Sequence, residues 1–79
     1  MSPTVFRQGP YRFFFFSREE PRPHVHVQCA DGEAKFWITP AVALSVNVGL
    51  SKKQVLQLEK IITERRDEID QAWQRHFQS

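Results

Sequence analysis

The 79-residue chain is read as one domain, 1–79, with room for only a modest core. A hydrophobic content of 41% with 13% aromatic residues excludes a disordered chain, and a formal charge of +2 gives a polyanion partner little support from net charge alone. A single cysteine, Cys29, excludes an intrachain disulfide, and no stretch approaches the roughly 20 apolar residues that span a bilayer. No basic region followed by an apolar segment opens the chain, so no signal peptide, no membrane association and a cytoplasmic location are expected.

Charge is distributed unevenly. Arg7, Arg12, Arg18 and Arg22 crowd the first 22 residues, where Glu19 and Glu20 are the only acids. Pro3 to Arg7 is β-prone and stops at Gly9-Pro10, which reads as a short strand and a turn. Tyr11 to Ser17 follows with four consecutive phenylalanines. Alternation sends Tyr11, Phe13 and Phe15 to one face and Arg12, Phe14 and Phe16 to the other, as in a central strand covered on both sides. Arg18 to Pro23 reads as a loop, since two prolines and four charges in six residues exclude a regular ladder.

The stretch from His24 to Cys29 alternates again. His24, His26 and Gln28 share one face; Val25, Val27 and Cys29 share the other. Asp31-Gly32 is a hairpin signal, and a two-residue loop there would set Ala30 opposite Glu33, Gln28 opposite Lys35, Val27 opposite Phe36, His26 opposite Trp37 and Val25 opposite Ile38. Both strands then agree on a wet face carrying His24, His26, Gln28, Lys35 and Trp37. Cys29, on the apolar face, reads as a small core residue.

Thr39-Pro40 fits an N-cap with proline at the first helical position, and Gly49 fits a stop, so the bracketed residues read as a short helix. The competing reading is a strand in which Leu44, Val46 and Val48 alternate with Ser45 and Asn47. Ser51 and Gln54 fit a capping box, and nothing breaks a helix from there to Phe77. Val55, Leu58, Ile62, Ile69, Trp73 and Phe77 form its apolar stripe, interrupted around Arg65 and Arg66, which read as a solvated face. His76 reads as a helix-end residue. Such a helix approaches ~40 Å, so it must bend or project. The expected fold is therefore α+β: a small antiparallel sheet of three to four strands, a short helix, and one long C-terminal helix packed on one face. With one helix and few other residues, aromatic surface should stay uncovered, which predicts a homodimer or a dedicated protein partner; the competing reading is that the N-terminal strand and loop cover that face.

Three readings compete for the polar face. In the first, His24 and His26, about 6.5 to 7 Å apart at Cα, act as acid and base on a phosphodiester. Lys35 or Arg12 would stabilise the developing charge and Trp37 would stack a base, with Gln28 on the same face; this is metal-independent endoribonuclease chemistry. In the second, His-Xaa-His binds a metal. The third-ligand candidates, His76, Asp31, Glu33, Glu19 and Glu20, lack diagnostic spacing, so no metal or cofactor is assigned. In the third, the histidines are hydrogen-bonded structural residues.

The segments Gly9 to Ser17, Pro23-His24-Val25-His26-Val27, Ala34 to Trp37, Gly49-Leu50-Ser51 and Trp73 together resemble a widespread family of small bacterial proteins of unknown function, recognised by a Pro-His-Xaa-His-Val motif. The resemblance covers essentially the whole chain. It departs in the loop, where Arg18 to Arg22 is more basic than the family's acidic or asparagine-containing run, so nothing is carried over from that loop. Members resemble components of predicted toxin–antitoxin pairs. The resemblance thus implies a cognate small protein, more weakly an RNA-directed activity, and motif residues at His24, His26, Lys35 and Trp37.

Overall fold

The computed structural model describes residues 4–16 and 21–77. Five strands run in chain order: β1 (Thr4–Gln8), β2 (Tyr11–Phe14), β3 (His24–Cys29), β4 (Gly32–Trp37) and β5 (Ala43–Val48). They form one antiparallel sheet in the order β1-β2-β3-β4-β5. Two helices follow, α1 (Lys52–Glu64) and α2 (Arg66–Phe77). The expected three to four strands, short helix and single long helix are therefore corrected in three places. Of the loop expected from Arg18 to Pro23, residues 18–20 lie outside the described residues.

The first correction is β5. The residues bracketed by Thr39-Pro40 and Gly49 form an edge strand, not a short helix. Without it the outer backbone groups of β4 would lack ladder partners, and the Val-rich stretch has the propensity to supply them. Gly49, at φ +88, supplies the turn out of the strand.

The second correction is register. Cys29 pairs with Gly32, so the two-residue loop is Ala30-Asp31, and every pair slides by two residues from expectation: His24 faces Trp37, Val25 faces Phe36, His26 faces Lys35 and Gln28 faces Glu33. Among the described residues no non-glycine residue has positive φ, and Gly32 does not either. The type I′ turn assumed at Asp31-Gly32 is thus absent. Gly32 serves close packing instead: a Cβ there would lie 2.0 Å from the Val48 carbonyl oxygen. A slide of two residues keeps every side chain on its expected face, because the strand repeat is two.

The third correction is the long helix. Unbroken from Lys52 to Phe77 it would run ~39 Å, beyond the longest extent of the molecule, 36 Å. It breaks at Arg65, whose φ of −109° and ψ of 21° leave the helical basin. Arg65 and Arg66 are not simply solvated. Arg65 donates to both Glu68 carboxylate oxygens (2.9 and 2.8 Å) and to Gln8 Oε1 (3.1 Å), with its guanidinium 3.4 Å from the Phe6 ring centre. Arg66 donates to the Pro40 carbonyl oxygen at 3.0 Å. The capping box is present as expected, with Ser51 Oγ accepting from Gln54 N–H and Gln54 Oε1 from Ser51 N–H.

Both helices contribute to one core. Phe13, Phe15, Val25, Val27, Phe36 and Ile38 from the sheet side pack with Leu58, Ile62, Ile69 and Trp73 from the helices. Each such side chain contributes roughly 1.5–3 kcal/mol by leaving water. Cys29 packs against this cluster but stays half-exposed. Among the described residues, no helix is long and apolar enough to cross a membrane.

Candidate functional site

The helices cover the face carrying Phe13, Val25, Val27 and Phe36. The opposite face follows from the pairing. One row crosses all five strands as Arg7, Arg12, Gln28, Glu33 and Val48. The next reads Thr4, Phe14, His26, Lys35 and Val46, and a third carries His24, Trp37 and Ala43. Directly opposed partners in an antiparallel ladder share a face, so every residue expected on the polar face lies on this one. It brings together three cations in its rows, Arg7, Arg12 and Lys35, against one carboxylate, Glu33.

Trp37 is the centre of its cationic end. The Lys35 ammonium lies 4.4 Å from the ring centre, and the Arg22 guanidinium lies 4.2 Å from it. Arg22 is fixed by donating from Nε to the Thr39 carbonyl oxygen at 2.9 Å. Arg12 repeats the pattern across the sheet, 4.5 Å from the Phe14 ring centre and donating to Thr4 Oγ1 at 2.8 Å. Each cation sits against a π face, an arrangement worth about 0.5–1 kcal/mol where exposed.

The two motif histidines differ sharply. His24 is fully buried. At the start of β3 it touches both layers: its ring centre is 5.0 Å from Trp73 of α2, 5.5 Å from Trp37 and 5.2 Å from His26. Its Nδ1–H donates to the Arg22 carbonyl oxygen at 2.7 Å. His26 is half-buried beside Phe16 and Phe14, at ring separations of 4.3 and 5.6 Å. Gln28 is exposed between Arg12 and Glu33.

Other expected participants lie elsewhere. His76 is exposed near the end of α2, its ring 5.9 Å from that of Phe15. Asp31 accepts from Gln54 Nε2 at 2.8 Å, tying the β3–β4 turn to the start of α1. Among the described residues, no group of three or more His, Cys, Asp or Glu converges on one point.

Residues 11–74 match the model of DUF4160, a domain of unknown function. The chain belongs to the DUF4160 family. That match runs from the start of β2 to the last turns of α2. Comparison with curated proteins and with solved structures gives no match. In this DUF4160 chain, sequence reasoning overlooked Arg22 as a site residue. Its signal was position: two residues before His24 in an extended segment, it shares that residue's parity and reaches the same face as Trp37. Phe16, Val46 and Val48, which wall a hollow on the same face, were likewise missed, the last two because they were read as helix.

Proposed function

We propose that the open sheet face binds single-stranded RNA, and that the chain serves as the RNA-directed member of a small bacterial two-protein pair of the toxin–antitoxin kind. The observation that carries the RNA reading is Trp37 with two cations on its ring, set in a face where Arg7 and Arg12 stand directly opposite one another. A phosphate chain suits a face with clustered cations, and flat aromatic surfaces beside cations suit unstacked bases. The two-protein assignment is drawn from the family resemblance, which also implies a cognate small protein.

Endoribonuclease action by His24 and His26, aided by Lys35, is the second reading, favoured by the 5.2 Å between the two imidazole rings. It requires His24 to reach a phosphodiester, whereas His24 has no exposed surface. The geometry therefore supports binding through His26, Lys35, Trp37, Arg12 and Arg22, with His24 as structural support.

The test is titration of a labelled short single-stranded RNA by fluorescence anisotropy over a salt series. Wild type should bind with an affinity that falls steeply as salt rises. Trp37→Ala should weaken binding by about tenfold, in line with a stacking contribution of roughly 1–3 kcal/mol per base. Arg22→Ala should flatten the salt dependence. Absence of binding at low salt, or binding indifferent to both substitutions, overturns the proposal. RNA cleavage that persists in a folded His26→Ala variant would remove the catalytic reading.

A further inference from the structure

The open face carries a hollow of about 210 Å³ between β4, β5 and Phe16, lined chiefly by Phe16, His26, Glu33, Lys35, Val46 and Val48. It is smaller than the 300 Å³ or more typical of pockets for drug-sized ligands, and so fits a single planar group. Its origin lies in the rows described above. Val46 and Val48 are short side chains on the edge strand, 48% and 59% exposed, whereas Phe16 and His26 rise on the other side. Lys35 directs its ammonium to Trp37 rather than across the valines.

The walls are apolar and aromatic, with one acceptor at the mouth. Glu33 is exposed, and among the described residues its carboxylate has neither a hydrogen bond nor an ion pair. An ionised carboxylate only accepts hydrogen bonds. Cytosine, adenine and guanine each carry an exocyclic amino group that donates; uracil presents carbonyl oxygens where cytosine and guanine present amines. Uracil can donate only through its N3–H, which lies between two carbonyl oxygens that repel a carboxylate, so its pairing with Glu33 is weaker than that of an amino group.

Resting on the RNA reading, we infer that this hollow seats one base and that Glu33 makes it select bases bearing an exocyclic amino group over uracil. The phosphates on either side run toward Lys35 and Arg12, and the neighbouring base falls on Trp37.

The experiment compares an oligouridine with the same oligomer carrying a single central cytidine, guanosine or adenosine. Wild type should bind at least one amino-bearing oligomer about tenfold more tightly than oligouridine, the discrimination expected of a well-placed polar pair. Glu33→Gln offers an amide that both donates and accepts; it should bind oligouridine as well as or better than wild type, and the preference should collapse. Val46→Trp, which fills the hollow, should also erase the preference while leaving the salt dependence unchanged. Thermal unfolding verifies that both variants fold. Binding of every oligomer with equal affinity, or a preference that survives Glu33→Gln, overturns this inference and leaves the RNA reading standing. Failure of all oligomers to bind overturns the RNA reading itself.

Discussion

Replacing His24 by alanine should unfold much of the population while leaving nothing else on the open face altered in charge. The ring is fully buried and contacts Trp37, His26 and Trp73. Truncating a buried aromatic side chain to alanine costs about 3–5 kcal/mol; imidazole is smaller than a phenyl ring, so the lower end applies. The Arg22 carbonyl also loses its hydrogen bond, about 1 kcal/mol more. The expected loss is therefore about 4 kcal/mol. A domain of this length holds roughly 4–12 kcal/mol in total, at 0.05–0.15 kcal/mol per residue. In a domain of this size each kcal/mol shifts the melting temperature by about 4–8 °C, which makes the shift roughly 15–30 °C. His26→Ala, truncating a half-buried ring, should cost about 1–2 kcal/mol by the same reasoning. Urea unfolding of the two variants, read at a common slope, checks the contrast. A loss below about 1 kcal/mol for His24→Ala, or one no larger than that of His26→Ala, would refute the assignment of His24 to structural support.

Two further predictions follow from the packing. Gly32→Ala sets a methyl group 2.0 Å from the Val48 carbonyl oxygen, a backbone atom that moves only if β5 moves; chemical denaturation should show a loss of about 1–3 kcal/mol or more, and a loss within 0.5 kcal/mol (roughly the scatter of surface substitutions) would refute the close approach. Burial raises the pKa of Tyr11 above its ordinary 10.0, with Cys29 and Asp31 adding to the rise. The unfolded chain then loses this proton first, so stability present below about pH 10 declines as pH rises through the folded pKa. Tyr11 is the only tyrosine in the sequence, so Tyr11→Phe should flatten that decline in unfolding free energy, and identical slopes for the two proteins would contradict it.

The faces of the sheet were legible in the sequence because alternation is a local property. His26 and Lys35 were grouped correctly even though the assumed turn displaced the register by two residues, since parity survives such a slide. What local pattern could not convey was the close approach of Gly32 to Val48, a contact between residues far apart in the chain that decides where the loop falls. The strand at Ala43–Val48 was misread for a related reason: helix-bracketing signals at Thr39-Pro40 and Gly49 are local, whereas the exposed edge of β4 that recruits the strand is not. The stripe of Leu58, Ile62, Ile69 and Trp73 pointed to the core, and its interruption at Arg65 marked the helix break. The burial of His24 was hidden because alternation assigns a face but does not say that Trp73, near the end of the chain, reaches the same residue.

The irregularity in β5 has a consequence beyond the single molecule. Between Lys35 and Phe36 the ladder skips Ser45, leaving one extra residue on the outermost strand. That strand carries no charge and no proline, the usual deterrents against adding another strand. A flat edge of this composition would template its own extension, one chain after another. A skipped residue bends the strand that carries it and sharpens its twist, which works against the flat alignment that a further strand would need.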